Sequence, residues 1–355
     1  MKFSKLASLV LCALTLATLG CGRAERLNVL VVTFDTTRAD HIASYGNERA
    51  STPRVDQLAA EGVLFEHAFS AVPITAPSHS TIMTGKYPLA HGVRDNGMFV
   101  LPDNQQTLAE TLKANGYATG AAIAAFPLLS RFGVDQGFDF YDDNVEPQPQ
   151  GVFGDRAFPE AQIYMDERRA GRVNEALFPW LDEHHDKPFF AWAHYFDPHQ
   201  PFDPPPPYDQ LFADDLYLGE LAYTDESFGR LLDKLKELGV YDKTIIVLAA
   251  DHGEGRGEHN ELTHSTLVYN TTLHVPLIIR MPGATGGRRV SANAGTVDIV
   301  PTVLDLLDLE EPTEVQGESL VPLLEDPTLD TEERNARTAY YAETLAPRLG
   351  FGWGE

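Results

Sequence analysis

The sequence predicts an α/β protein built on a doubly wound, mostly parallel β-sheet with helices on both faces. Several short runs are rich in β-branched and apolar residues and lack the polar alternation of half-exposed strands. Such runs are typical of parallel strands that are buried on both faces. Amphipathic helical patterns separate these runs along the chain. This alternation of buried strands with helices indicates the doubly wound class.

Four of the apolar runs are predicted strands, and three of them end at or beside an aspartate. They span residues 27–34 before Asp35, 188–196 before Asp197, 243–250 before Asp251, and 274–280. Helices are predicted over residues 107–115 and 218–238, because each apolar stripe stops before a glycine. In doubly wound sheets, ligands bind beyond the carboxyl ends of the strands. The three aspartates therefore indicate where a functional site is expected.

Residues 1–20 have the composition of a bacterial export signal. Lysines precede an apolar run over residues 6–19, and the run is followed by Cys21. A cysteine after a small residue predicts lipoprotein processing, and cleavage after Ala24 is the alternative. We therefore expect an extracytoplasmic protein of the bacterial cell envelope. A lipid anchor at Cys21 would hold it in the periplasm or at the outer membrane.

The chain has 355 residues, 43% of them hydrophobic, and a net charge of −25. Its length and composition predict one large catalytic domain at residues 27–330. Residues 331–355 are expected to begin a small C-terminal subdomain that is incomplete. The acidic charge argues against nucleic acid as a partner, since binding it requires clustered lysine and arginine. Both cysteines, Cys12 and Cys21, belong to the signal region, which leaves no disulfide for the folded domain.

Thr75 is the candidate nucleophile. It stands two residues before Pro77. Proline fits the first turn of a helix, because its missing N–H would be unsatisfied there in any case. The free N–H groups of Ser78 and His79 are then expected to face the loop that carries Thr75. An anion would bind well at such a helix start.

Asp35 and the neighbours Asp251 and His252 follow predicted strands that are far apart in the sequence. Their positions at strand ends predict that two carboxylates and one imidazole meet at the same edge of the sheet. Oxygen and nitrogen ligands of this kind suit a divalent metal ion. Such an ion would also bind and acidify the hydroxyl of Thr75.

The segment PITAPSHSTIMTG at residues 73–85 resembles the signature of the sulfatase family of the alkaline phosphatase superfamily. The resemblance extends over residues 28–324 and includes TGKYP at 84–88 and HVPLII at 274–279. It implies the sulfatase and alkaline phosphatase-like fold and an ester hydrolase activity. It also implies one set of metal ligands. They are Asp35, Thr75, Asp251 and His252. With one imidazole and few carboxylates, this set favours manganese or zinc over calcium.

The chain departs from the family pattern at several positions. Thr75 stands where sulfatases carry the Cys or Ser that becomes formylglycine, so no formylglycine is expected. His79 stands where they carry Arg, and we count it among the candidate catalytic residues. Thr36 replaces a second Asp, and Ala124 lies near the position of a family Lys. These departures predict a changed ester specificity or a reduced activity.

Two further histidines have assignments that remain open. The resemblance implies that His199 contacts the substrate and that His264 lies where sulfatases place a Lys or His beside the ester. A protonated imidazole can donate a proton to a leaving oxygen or stabilise its charge. Alternatively, Asp197, His199 and His264 form a second zinc or manganese site that activates water.

The sequence therefore predicts an exported, metal-dependent hydrolase of small-molecule or glycan phosphate or sulfate esters, with Thr75 as the nucleophile. Threonine cannot form the aldehyde hydrate by which sulfatases release sulfate, so phosphate esters, particularly diesters, are favoured. There are three alternatives. They are a sulfatase proper, a non-catalytic binder of sulfated or phosphorylated glycans, and a transferase of phospho-groups to the envelope.

Overall fold

The computed structural model describes residues 26–145, 167–284, 286–331 and 338–353. The predicted export signal and Cys21 lie outside these residues. Within the described ranges, no helix is both long enough and apolar enough to cross a bilayer.

The strands of the described chain form one mixed sheet. They are β1 (Asn28–Phe34), β2 (Val63–Phe69), β3 (Ala118–Ala122), β4 (Phe140–Asp142), β5 (Phe189–Tyr195), β6 (Thr244–Ala250), β7 (His274–Arg280) and β8 (Arg288–Gly295). Their order across the sheet is β4-β3-β5-β1-β6-β7-β2-β8. The pairings are parallel except where β7 meets β6 and β2. The mostly parallel sheet of the predicted fold class is thus confirmed.

Helices connect the strands and cover the sheet. They are α1 (Pro53–Glu61), α2 (Thr75–Thr84), α3 (Pro88–His91), α4 (Leu108–Ala114), α5 (Ala170–His184), α6 (Tyr208–Leu211), α7 (Leu216–Glu237), α8 (Asn270–Leu273), α9 (Ile299–Leu306), α10 (Val321–Glu325) and α11 (Ala346–Phe351). The two helices predicted from the sequence correspond to α4 and α7. α4 begins with a capping box, in which Thr107 and Glu110 satisfy each other's backbone N–H groups.

Two hydrophobic cores lie on opposite faces of the sheet. In β1, Val29 and Val31 pack into the first core, whereas Leu30 and Val32 pack into the second. Residues of α2, α4 and α9 complete the first core, and residues of α1, α5 and α7 complete the second. A central strand with apolar side chains on both faces explains why its sequence shows no polar alternation.

The direction of β7 differs from the prediction. The run at 274–280 was expected to form a parallel strand like the others, but it runs antiparallel to both neighbours. The chain leaves β6 at one edge of the sheet and enters β7 from that same edge through a loop and α8, without a crossover. An apolar run indicates burial and carries no information about strand direction.

Four strands, β2, β3, β4 and β8, were not predicted from the sequence. β3 has the sequence ATGAA, and alanine and glycine have low strand propensity. β8 is an outer strand that begins with two arginines, so its pattern is not apolar. β3 and β8 are defined by their pairing with neighbours more than by their own composition.

The run at residues 338–344 has a strand-like composition, but it does not form a strand. The structure places these residues in an irregular segment that pairs with no strand. Side chains hold the segment in place instead. The hydroxyl of Tyr340 donates to Asp298 Oδ2 at 2.5 Å, and Arg94 pairs with Glu343 at 2.7 Å. The assignment of residues 331–355 to a further subdomain stays a prediction.

Candidate active site

The site lies at the carboxyl edge of the two central strands. Asp35 directly follows β1 and Asp251 directly follows β6, and both side chains are fully buried. The two strands pair in parallel, with Phe34 opposite Ala250. Because parallel neighbours end at the same edge, the two aspartates are brought side by side. The predicted meeting of these carboxylates is therefore confirmed.

Within the described ranges, one cluster of side chains is suited to binding a metal ion. It consists of Asp35, Asp251 and His252. Each offers one ligand atom, and these atoms lie within 4.8 Å of one another. Asp35 Oδ1 and Asp251 Oδ2 are buried and have no hydrogen-bond donor. Burial raises the pKa of both carboxyls well above the ordinary value. Two buried carboxylate oxygens without donors fit a divalent cation, which would supply the missing positive charge.

His252 presents one nitrogen to this group. Its Nδ1 lies 2.9 Å from the carbonyl oxygen of Gly253, which can only accept, so Nδ1 carries the proton. The lone pair of the neutral ring is then on Nε2. That atom lies 3.3 Å from Asp251 Oδ2 and 3.4 Å from Thr75 Oγ1. The tautomer of His252 therefore suits metal coordination beside the candidate nucleophile.

Thr75 is fixed by the buried first turn of α2. The helix begins at Thr75 itself, and the backbone N–H of Ser78 donates to the carbonyl of Ile74 at 3.0 Å. The expectation that Ser78 offers a free N–H to an anion was therefore wrong. The helix starts two residues before Pro77, so this N–H is already part of the helical ladder. The N–H of Ala76 is also taken, by Asn96 Oδ1 at 2.8 Å.

His79 lies one turn after Thr75 and takes part in a chain of hydrogen bonds. Trp192 Nε1–H donates to Thr33 Oγ1 at 3.0 Å, and the Thr33 hydroxyl faces His79 Nε2 at 3.0 Å. His79 Nδ1 then donates to the carbonyl of Thr75 at 2.9 Å. Burial lowers the pKa of His79 well below its ordinary value, so the ring is neutral. His79 therefore holds the backbone of Thr75, the candidate nucleophile, in place.

His194 contacts the candidate metal ligand Asp35, and the sequence analysis missed it. It lies inside β5, fully buried, with Nε2 3.2 Å from Asp35 Oδ2. Its Nδ1 accepts from the N–H of Ala124 at 3.1 Å, which assigns the proton to Nε2. A histidine inside an otherwise apolar strand was the signal that could have identified it. Its hydrogen bond to Asp35, at the end of the neighbouring strand β1, explains why this polar side chain can be buried.

His199 and His264 meet through their Nε2 atoms, which are 3.1 Å apart. His199 Nδ1 faces the carbonyl of Gln200 at 2.5 Å, and His264 Nδ1 faces the carbonyl of Pro73 at 3.0 Å. Both Nδ1 atoms therefore carry protons, and two neutral rings would direct two lone pairs at each other. Burial lowers the pKa of His199 to about 3 and that of His264 to about 4. A proton or a cation between the Nε2 atoms would relieve this repulsion.

Asp197 does not join these histidines. It follows β5 as predicted, but its Oδ2 accepts from the N–H of Ala170 at 2.8 Å, at the start of α5. Burial raises the pKa of Asp197 to about 6. Among the residues that the structure describes, it forms no three-ligand group with His199 and His264. The side chain is directed by the helix start that it caps.

Two candidate cations for an ester anion, Lys86 and Arg38, have other partners. Lys86 Nζ lies 3.1 Å from Gln105 Oε1, and Arg38 pairs with Glu258 at 2.7 Å. Ala124, near the position of a family lysine, contributes its backbone N–H to His194. The side chains that converge on Thr75 are therefore imidazoles and carboxylates.

A mixed sheet of this topology, with helices on both faces and carboxylates and imidazoles at the ends of its central strands, defines an alkaline phosphatase-like ester hydrolase. A family model described as sulfatase matches residues 27–309. The chain belongs to the sulfatase family.

Individual relatives support this membership. The chain is 28% identical to an ulvan-active sulfatase of Formosa agariphila over 89% of its own length and 68% of that protein. It is 25% identical to an N-acetylglucosamine-6-O-sulfatase of Bacteroides thetaiotaomicron, over 90% of the chain and 75% of that protein. Among solved structures, a phosphonate monoester hydrolase of Agrobacterium radiobacter is similar with a TM-score of 0.71 and 25% identity, covering 84% of this chain and 77% of that one.

Proposed function

We propose that this protein is a metal-dependent hydrolase of phosphate esters, with diesters preferred, and that Thr75 is its nucleophile. One observation carries the proposal. The hydroxyl of Thr75 lies 3.4 Å from His252 Nε2, beside two buried carboxylates that each retain an oxygen without a donor. A hydroxyl in this position is suited to in-line attack on an ester that binds at the carboxyl edge of the sheet.

Asp35, Thr75, Asp251 and His252 would hold the divalent ion. When bound, the ion would lower the pKa of the Thr75 hydroxyl and offset the negative charge of the ester. We infer manganese or zinc ahead of calcium, because the set contains an imidazole and only two carboxylates. His79 would keep the Thr75 backbone in register through its hydrogen bond at 2.9 Å.

The identity of the nucleophile supports phosphate over sulfate. Threonine has no route to the aldehyde of formylglycine, so an adduct on Thr75 must be resolved by water at the central atom. Phosphothreonine permits this when a base or a cation activates the water. His199 and His264 are the candidates for this group. Their Nε2 atoms are 3.1 Å apart, and the ring of His264 lies 4.4 Å from that of His252.

The two histidines have two possible roles in this reaction. In the first, they bind the ester anion and pass a proton to the leaving oxygen. In the second, their Nε2 lone pairs share a second zinc or manganese ion, without Asp197. The short distance between two lone-pair atoms supports a positive species between them, and this is compatible with both roles. Counting metal equivalents in wild type and in His264→Gln distinguishes them.

The activity is tested by comparing turnover of bis(4-nitrophenyl) phosphate with turnover of 4-nitrophenyl sulfate. Thr75→Val serves as the blank, since valine keeps the shape of threonine and lacks the hydroxyl. We expect phosphodiester hydrolysis that is lost in Thr75→Val. Multiple-turnover sulfate release that exceeds phosphodiester hydrolysis, and that also disappears in Thr75→Val, would contradict the phosphate preference.

Sulfate ester hydrolysis is the second candidate. The relatives that favour it are named as sulfatases, including the ulvan-active enzyme at 28% identity. In this case, the sulfated threonine would be hydrolysed by a route that differs from the one used by formylglycine enzymes. The same comparison of two substrates decides between the candidates.

We also propose that the protein acts outside the cytoplasm, anchored to the cell envelope through Cys21. The support is the sequence of residues 1–21 alone, in which an apolar run between lysines and a cysteine follows the pattern of lipoprotein signals. A lipid anchor would place the candidate active site where extracellular esters or esters of the cell envelope can bind.

A further inference from the structure

Residues 343–346, which we call the clasp, connect the two loops that carry the proposed catalytic groups. One loop, residues 70–75, leads into Thr75, and the other, residues 264–267, begins with His264. The loops already meet directly, because His264 Nδ1–H donates to the carbonyl of Pro73 at 3.0 Å. The clasp adds a contact to each loop from a distant part of the chain.

The first contact is with the nucleophile loop. The backbone N–H of Glu343 donates to the carbonyl of Ala71 at 3.0 Å. The carboxylate of Glu343 accepts two hydrogen bonds from Arg94, at 2.8 and 2.7 Å, and its side chain is 10% exposed. A bidentate, largely buried ion pair of this kind gives the segment a defined orientation. Glu343 therefore fixes where the next residue, Thr344, lies.

The second contact is with the residue that follows His264. The hydroxyl of Thr344 donates to the carbonyl of Ser265, and the same oxygen accepts from the N–H of Ala346 at 3.2 Å. Ser265 has a φ of 84°, in the left-handed region that L-residues other than glycine rarely adopt. Such a conformation is energetically unfavourable and persists only where surrounding contacts impose it. Ser265, the strained residue, directly follows His264 in the chain.

We propose that Thr344 is a positioning residue for His264. Its hydroxyl holds the Ser265 peptide in the strained conformation, and that conformation directs the His264 imidazole toward His199 and the ester oxygen. Thr344 itself touches neither the nucleophile nor the metal ligands. This inference rests on the proposed role of His264 in assisting the leaving group.

The test compares Thr344→Val with Thr344→Ser, because serine keeps the hydroxyl and valine keeps the shape. Two diesters of different leaving-group quality are used, bis(4-nitrophenyl) phosphate and diphenyl phosphate. A misplaced proton donor matters most for the poorer leaving group, phenol. We expect kcat/KM of Thr344→Val to fall about tenfold or more with diphenyl phosphate and about threefold or less with the nitrophenyl diester. Thr344→Ser should resemble wild type with both.

Two further variants set the scale of this test. Thr328→Val removes another threonine hydroxyl, which donates to Asp326 Oδ1 at 2.6 Å on the exposed surface, so no leaving-group effect is expected from it. His264→Gln shows the leaving-group effect that is expected when the imidazole is removed entirely. If His264→Gln itself shows no leaving-group dependence, the proposed role of His264 fails and the assignment of Thr344 fails with it. If His264→Gln shows the dependence and Thr344→Val does not, only the assignment of Thr344 is overturned.

A second measurement does not require turnover. The imidazole NMR resonances of His264 are identified by their loss in His264→Gln. We expect them to shift in Thr344→Val and to stay in place in Thr344→Ser. Unchanged His264 resonances in Thr344→Val would overturn the proposal, whatever the activity of the protein.

Discussion

His194 donates from Nε2 to Oδ2 of Asp35 across 3.2 Å, while its Nδ1 accepts the backbone N–H of Ala124 at 3.1 Å. Burial lowers the pKa of His194 to about 3, so the ring stays neutral and donates a single proton to the carboxylate. The Oδ1 atom of Asp35 is left without a donor. The imidazole therefore orients one oxygen of the carboxylate and leaves the other for a cation.

Replacement of His194 should weaken metal binding without removing a ligand. In His194→Ala, Asp35 loses the donor that orients it, and we expect the dissociation constant for the divalent ion to rise about 10- to 100-fold. His194→Asn retains a side chain that can donate and accept, so it should lose less. Isothermal titration of metal-free protein measures both. An unchanged affinity in His194→Ala would show that Asp35 is oriented by other contacts.

Metal removal should destabilise the wild-type protein and have little effect on a protein that lacks the ligands. Without a cation, two buried carboxyl groups face each other, and an ion that binds only the folded state stabilises it by mass action. We expect chelation to lower the melting temperature of wild type. The variant with Asp251→Ala and His252→Ala should show no such change and should contain about one equivalent less metal by elemental analysis. Equal metal content in the two proteins would rule out the site.

The stability of the protein should depend on pH through Glu220, which is remote from the metal ligands in sequence. Burial raises the pKa of Glu220 to about 9 from an ordinary value of 4.5. Its Oε1 accepts from the N–H of Asp203 at 2.7 Å, while Oε2 has no hydrogen-bond donor and lies 3.9 Å from Arg169 Nη1. The protonated form is thus favoured in the folded state. The stabilisation is complete below the ordinary pKa and is lost as the pH rises through the folded-state value.

Glu220→Gln isolates this contribution, because glutamine keeps the shape and the acceptor and cannot ionise. Relative to this variant, wild type should lose up to about 1.4 kcal/mol of unfolding free energy per pH unit between about pH 5 and about pH 9. Denaturant unfolding at several pH values measures the difference, and other titrating groups cancel because both proteins carry them. Parallel pH profiles for the two proteins would show that Glu220 is ionised in the folded state.

The lipid anchor is tested by cell fractionation. If Cys21 carries acyl chains, the wild-type protein should be found with the membranes, because two or more chains give stable anchoring. Cys21→Ala should then be found in the soluble fraction. A wild-type protein that is already soluble and begins at Glu25 would instead support cleavage after Ala24.

Part of the site was accessible from the sequence because it depends on strand ends. Asp35 and Asp251 follow long apolar runs, and parallel strands deliver their carboxyl ends to one edge whatever the details of packing. The position of His252 was predictable for the same reason, because it directly follows Asp251 in the chain. A helix start near Thr75 was accessible because proline favours the first turn of a helix, although the helix begins two residues before Pro77. These features need only local sequence and the general geometry of a parallel sheet.

The sequence by itself determined the fold class, the two carboxylates and the position of Thr75 at a helix start. The tertiary structure alone decided where the other side chains point. Asp197 also follows a strand, yet its carboxylate accepts from the N–H of Ala170 at the start of α5. His194 lies in an apolar run, and its contact with Asp35 exists only because β5 pairs with β1. The carbonyl of Ser265 accepts from the hydroxyl of Thr344, which lies 79 positions away. Side-chain direction depends on which distant elements pack against a residue, and no local pattern encodes that choice.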